Sequence, residues 1–357
     1  MKAAGTGPAR SHEPVAILVL GMHRSGTSAL TRTLNLLGAE LPRNIYAARK
    51  DNPTGYWESA DWIELHDEML AACGLSWDSP LPLPPSAFTP EAMAPFRARL
   101  AESLRADFAN SAMFVAKDPR ICRLLPLWHA ALADAGFAPR HVIIVRHPSE
   151  VAASLGVRNG MPRETALLLW MRHMLESEHA SRRMARVFVS YDALLADWRS
   201  VIDHIASAFE LEWPKSPAGA QAEIESFLKR DLRHHAADDG AGLVNGGWPD
   251  ALYEASLASL DNDMARVATF DRLRAELAAG AELVDGFFTA VVDRDREIAR
   301  LTGEVQRLSG LIQSRESELS AARGEITSLR ARVSAMKSSL SWRLTKPLRI
   351  VRKRTPR

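Results

Sequence analysis

At 357 residues, 46% hydrophobic and 25% charged, the chain has ordinary globular usage and enough length for one large core or two domains, which excludes a disordered or fibrous protein. Its two cysteines, Cys73 and Cys122, form no disulfide framework and no metal-ligand spacing, so a reducing compartment and a metal-free site are expected. No apolar run approaches the roughly eighteen residues of a membrane span, and MKAAGTGPARSHEP at the start lacks a hydrophobic signal core, so the expected location is the cytoplasm.

Residues 1–13 are small, polar and punctuated by Gly and Pro, the composition of a disordered N-terminus. The first element is an apolar run, Ala16 to Leu20, with the length of a buried parallel strand; a helix is expected over Ala29–Leu37. Between them Gly21 and Gly26 are separated by four residues, the spacing of a loop that cradles a phosphate with backbone N–H groups and a helix N-terminus. Thr27 and Ser28 follow Gly26 where a nucleotide triphosphatase requires Lys and then Ser or Thr, and a cation stands earlier, at Arg24.

Pro42 to Glu58 reads as a loop, and Pro80, Pro82, Pro84 and Pro85 forbid a helix in a second one. Further strands are expected at Ala112–Ala116, His141–Val145 and Val187–Ser190. Helices are expected over Glu91–Phe108, Leu124–Ala135, Arg163–Met184 and Asp192–Phe209. Strands alternating with helices make a parallel sheet with crossover helices, whose ligands sit at the carboxyl ends of the strands. The clusters HRSGTS, KDPR (Lys117–Arg120) and RHP (Arg146–Pro148) each follow a strand directly and so converge on one edge.

Turn residues over Asp238–Pro249 close the globular part, and the chain beyond Ala251 is helical. From Ile298 to Leu340 apolar residues step by three and four without a break, interrupted only by Arg315, a charge placed to set register. The β-branched bias at Ile298, Val305, Ile312, Ile326 and Val333 favours a parallel two-stranded coiled coil and a homodimer through 298–340. The last stretch, 341–357, holds seven bases and no acid. Setting those seven aside leaves 38 bases against 43 acids, so a mildly acidic body carries a basic tail and no nucleic-acid partner is expected. The organisation read from these shifts is a globular domain over 14–250, a helical connector over 251–285, a coiled coil over 286–340 and the basic tail.

The strand-edge clusters carry a resemblance. The loop G-M-H-R-S-G-T-S resembles the 5′-phosphosulfate loop of the PAPS-dependent sulfotransferases, PAPS being 3′-phosphoadenosine 5′-phosphosulfate. R-H-P-S-E-V-A-A-S, Arg146 to Ser154, resembles the family's 3′-phosphate motif. The resemblance covers roughly Val15 to Phe209 and implies a three-layer, P-loop-like α/β fold, here followed by the long C-terminal coiled-coil helix. It implies PAPS as co-substrate, held by Arg24, Ser25, Gly26, Thr27 and Ser28 at the 5′ end and by Arg146 and Ser154 at the 3′ end.

K-D-P-R resembles the catalytic-lysine segment of the tyrosylprotein and glycosaminoglycan branches, and N-P-T-G-Y-W-E places Glu58 where those branches carry a catalytic glutamate. The implied catalytic set is Glu58 as base with Lys117 and Arg24 on the sulfonyl group and the leaving oxygen; departing negative charge is what such donors stabilise. Plainer readings stand beside each: a surface Arg24, a solvent-facing Ser154, Lys117 paired with Asp118, and Glu58 as a helix N-terminal acid. His66 is the alternative base, though a histidine on a helix surface is the simpler account, and Arg120 serves the acceptor or orients the loop. His234 and His235 are adjacent and share no helix face, so they are not read as metal ligands; the segment is read instead as a lid over the nucleotide or acceptor, with Arg233 as a contact. The tail S-L-S-W-R-L-T-K-P-L-R resembles C-terminal segments of bacterial cell-surface polysaccharide enzymes, which together with the aromatic residues near Glu58 points to a glycan acceptor, with a phenolic or peptidyl acceptor open; its basic, Trp-bearing character suits an anionic membrane surface or an acidic partner, and equally a solubilising, disordered tail. The rival functions are a P-loop-like nucleotide kinase or triphosphatase and a non-catalytic, nucleotide-sensing coiled-coil scaffold.

Overall fold

In the computed structural model the described residues are 13–48, 55–229 and 247–344. The expected turn at 238–246, Arg233, His234, His235 and the tail beyond 344 lie outside them.

Four strands form one fully parallel sheet: β1 (Val15–Leu20), β2 (Met113–Ala116), β3 (Ala138–Val145) and β4 (Arg186–Ser190), in the order β2-β1-β3-β4. β1 is central, and the chain leaves it first to one side and later to the other. That reversal opens a crevice at the carboxyl end of β1, where parallel sheets bind ligands. Side-chain alternation divides the core into two layers. Ala16, Leu18 and Leu20 face one side with Ile143 and Val145, while Ile17 and Val19 face the other with Val142 and Ile144.

The first face is covered by α2 (Ala60–Ala72), α3 (Pro90–Phe108), α4 (Ile121–Ala135) and α6 (Arg163–Ser181). The second is covered by α1 (Thr27–Leu36), α8 (Trp198–Phe209) and α9 (Pro217–Lys229). Local chemistry fixes several boundaries. The Thr89 hydroxyl accepts from Ala92 N–H at the start of α3, which has Pro90 in its first turn, and Gly136 ends α4 in a left-handed conformation. The helix expected over Asp192–Phe209 is two, α7 (Tyr191–Ala196) and α8. Asp197 leaves helical geometry at φ −149° and caps α8 by accepting from Ser200 N–H. α5 (Pro148–Asn159) begins directly after β3.

The compact unit runs on to Val284. Within the segment read as a connector, α10 (Trp248–Ala258) and the start of α11 (Val267–Ser338) bury Leu252, Ala255, Phe270, Leu273 and Leu277 in the same core layer as α4 and α6. Ion pairs of Arg186 with Asp263 (3.2 Å) and of Arg182 with Asp271 (2.8 Å) fasten that segment to β4 and α6. From Asp285 the chain forms a second unit, dominated by the rest of α11 and followed by α12 (Leu340–Leu344). No helix among the described residues is long and apolar enough to cross a membrane.

Candidate functional site

The loop from Gly21 to Gly26 turns tightly enough for Ser25 N–H to donate to Met22 O at 3.1 Å. Three residues in it have positive φ: Gly21 at 155°, Arg24 at 69° and Gly26 at 89°. For Arg24 that conformation costs about 1–2 kcal/mol, strain of the kind held at functional loops. At Gly26 no other residue fits, because a Cβ would stand 2.1 Å from a ring carbon of Tyr191. Gly26 is also the N-cap of α1 and carries no side chain to cap it, so the first-turn amides are left for an anion. Ser25 is fully buried, and its hydroxyl has no hydrogen-bond partner among the described residues. A glycine-bounded turn at a helix N-terminus, with first-turn amides uncapped by a side chain and a buried hydroxyl beside them, fits a phosphate or sulfate group.

The second motif meets this loop directly. Arg24 Nε donates to Ser154 Oγ at 2.8 Å, and Arg146 Nη1 donates to the Arg24 carbonyl at 2.8 Å. Arg146 also pairs with Glu150 at 2.8 Å and lies 4.7 Å over the Tyr191 ring. Ser154 is buried on α5, not turned to solvent. β1 and β3 are neighbours, so the residues that follow them are forced together at one edge of the sheet.

On the other side of the loop Lys117 Nζ, at the end of β2, contacts the Glu58 carboxylate, donates to Tyr56 O at 3.1 Å and to Ser28 Oγ at 3.2 Å. Both members of the Lys117–Glu58 pair are almost fully buried. Burial raises the Glu58 pKa; the positive charge of Lys117 opposes that and Asp118 adds to it. The carboxylate is thus a stronger base than an exposed glutamate while staying bound to a cation that also touches the phosphate loop.

Lys117 is therefore not paired with its neighbour Asp118, as a reading of K-D-P-R in isolation expects. Asp118 points away, to His66 Nδ1 at 2.8 Å and to Arg120 at 3.0 Å, and Arg120 reaches on to Asp67 at 2.7 Å. Burial would raise the Asp118 carboxyl, yet Arg120 and His66 together hold it well below the usual carboxylate range. His66, expected on a helix surface, is fully buried on α2, and its Nε2 accepts from Trp128 Nε1–H at 2.9 Å. With Nε2 accepting, Nδ1 carries the proton donated to Asp118, and neither nitrogen is left for an acceptor hydroxyl. His66 and Arg120 belong to a buried layer supporting the strand end.

Tyr191 and His23 had no role in the sequence reading, whereas Trp57 stands in the N-P-T-G-Y-W-E segment beside Glu58. Tyr191 follows β4 as immediately as the other clusters follow their strands, and that position was its signal; its ring fills the space over Gly26 and under Arg146. Trp57, held at φ 58°, carries the Arg32 guanidinium 4.6 Å over its ring and meets Phe227 edge-on at 6.5 Å. His23 packs edge-on against Trp77 at 4.8 Å; burial first, then Arg120 and Lys117, keeps its pKa well below 6.5, so it is neutral.

Residues 14–215 match the family model described as "Sulfotransferase family". The chain belongs to the sulfotransferase family. Two solved structures are similar to it. One is the sulfotransferase domain from the Synechococcus PCC 7002 olefin synthase, 17% identical, covering 71% of this chain and 98% of that one, with a TM-score of 0.37. The other is the sulfotransferase domain from the curacin biosynthetic pathway, 15% identical, covering 75% and 99%, also with a TM-score of 0.37. No curated protein matched the chain. The sulfotransferase match begins one residue before β1 and ends two residues before α9, so it contains all nine residues expected to bind or act.

Proposed function

We propose that this sulfotransferase moves a sulfonyl group from PAPS to an acceptor hydroxyl on a carbohydrate, a surface glycan or its precursor. The observation that carries the reading is a pair of contact sets flanking the loop: Glu58 to Lys117 and Lys117 to Ser28 in the first turn of α1 on one side, and Arg24 to Ser154 with Arg146 to the Arg24 carbonyl on the other. Cations stand at both ends of the loop, and a buried base stands beside one of them. The cradle of Ser25, Gly26, Thr27 and Ser28 is suited to the 5′ end of the nucleotide, and Arg146 with Ser154 to its 3′-phosphate.

PAPS supplies the activated sulfonyl group. Glu58 takes the acceptor proton as the acceptor oxygen bonds to sulfur, and the bond from sulfur to the 5′-phosphate oxygen breaks with its electrons left on that oxygen. Lys117, Arg24 and the loop amides hold the charge that accumulates there. Tyr46 and Tyr56 lie 5.3 Å apart edge to face, and the Tyr46 backbone N–H donates to the Glu58 carbonyl at 2.7 Å; aromatic residues this near Glu58 support a sugar acceptor. Trp62 is fully buried against Phe108 and Trp128 and donates to Ser103 Oγ at 3.0 Å, so it belongs to the core. The basic residues of 341–357 suit contact with the anionic inner face of a cytoplasmic membrane.

Titration calorimetry with PAP, the desulfonated nucleotide, against ATP with magnesium tests the nucleotide assignment; tighter binding of ATP revives the kinase reading. Turnover of labelled PAPS against candidate glycans tests the enzyme. Binding of PAP without transfer to any hydroxyl class would leave the sensing scaffold instead.

A further inference from the structure

The second unit carries an exposed apolar stripe. Along α11, Ile298, Leu301, Val305, Leu308, Ile312, Leu319, Ile326, Leu329, Val333 and Met336 are 45% to 61% exposed. These are the first and fourth positions of six successive heptads. Three glycines, Gly303, Gly310 and Gly324, fall opposite the stripe, and a Cβ at any of them would meet nothing within 4 Å. A long helix weakened by glycine and wet along its apolar seam needs a partner helix on that seam.

The charges name the partner and its direction. Residues that flank the seam, the fifth and seventh of each heptad, pair across a parallel coiled coil at a spacing of five. Glu318 then meets Arg323 of the other helix, and Glu325 meets Arg330, each pair twice by symmetry. Within the single chain Arg323, Glu325 and Arg330 make no ion pair among the described residues, whereas Arg300 and Arg315 are matched in their own helix, Arg315 with Glu318 at 2.7 Å. The like-charged contact, Arg332 against Lys337, falls in the last heptad. At full antiparallel overlap Glu316 would face Glu316 and Glu318 would face Glu318 in the middle of the seam. A helix shifted by one heptad would put Arg315 into two apolar layers instead of one.

We infer that this face is the dimerisation surface for a second copy of the same chain, parallel and in register, with the two Arg315 side chains in one layer and Glu318–Arg323 and Glu325–Arg330 pairs crossing between helices. The inference is independent of the catalytic reading.

Sedimentation equilibrium of the full chain tests it, with twice the 39.3 kDa chain mass expected. Glu318→Lys with Glu325→Lys should raise the dimer dissociation constant by at least about tenfold, and adding Arg323→Glu with Arg330→Glu should restore it. Ile312→Cys in a Cys73→Ser background should form an intermolecular disulfide on oxidation, because facing first positions in a parallel register are within disulfide reach. PAP binding by each variant reports that the sulfotransferase unit is folded. A monomeric or trimeric mass, a dimer that fails to cross-link at position 312, or charge reversals that change nothing would each overturn the inference.

Discussion

Arg24 and Ser154 are 130 residues apart in sequence, and the arginine Nε donates to the serine hydroxyl at 2.8 Å. The cation of the phosphate loop is therefore held by a residue of the second motif. Ser154→Ala removes that acceptor and leaves Arg24 to find another. The expected result is weaker PAP binding by about 1 kcal/mol or more, the scale of a hydrogen bond to a charged group. Arg146→Ala should cost more, since it loses a fork that binds the Arg24 carbonyl, Glu150 and the Tyr191 ring together. Calorimetry with PAP measures both, and unchanged affinity in Arg146→Ala would remove that residue from the nucleotide site.

Glu58→Gln keeps the shape of the side chain and abolishes its basicity. PAP binding should survive while transfer falls by about 10²- to 10⁴-fold, the usual contribution of a positioned base. Because burial raises the Glu58 pKa, the acidic limb of the wild-type rate profile should lie above the ordinary glutamate range, with activity gained as pH rises and the carboxylate forms. The limb should vanish in the variant. Wild-type turnover by Glu58→Gln would end the assignment.

Gly26→Ala tests the close approach of Tyr191. The added Cβ meets the ring at 2.1 Å and the backbone is held at φ 89°, so both clash and strain oppose it. A loss of about 2–4 kcal/mol in unfolding free energy is expected, with the phosphate cradle displaced. Gly26→Ala with Tyr191→Ala should recover part of that loss in denaturant titration. No recovery would show that the ring is not the obstacle.

Acid should destabilise the sulfotransferase unit early. Burial lowers the pKa of His129 to about 4 and those of His141 and His173 to about 3. His141 Nδ1–H donates to the Ala185 carbonyl at 3.0 Å, which leaves its Nε2 to accept from His129 Nε2–H at 2.9 Å and so needs a neutral His141 ring. Unfolded histidines bind protons near pH 6.5 and the folded ones do not, so stability is full above that value and is lost as pH falls toward 4 and 3. Each histidine adds a slope of up to about 1.4 kcal/mol per pH unit. Urea midpoints between pH 7 and 4.5 check it, and a flat profile there would contradict the buried neutral state.

How much was legible in the chain follows from what each signal depends on. The four strands, the phosphate loop and both motifs were readable because apolar run length, glycine spacing and residue order are local properties, and a parallel sheet forces its strand-end clusters to one edge. The heptad was readable for the same reason. Tertiary structure decided the pairings. It gave Lys117 to Glu58 and Asp118 to His66 and Arg120, buried a histidine that a helical pattern placed at the surface, and set Tyr191 over Gly26. It also drew 251–284 into the core through Leu252, Phe270 and Leu273, whose spacing is equally that of any amphipathic connector. Sequence spacing fixes which face of an element a side chain lies on; which distant side chain it meets there depends on how the layers pack.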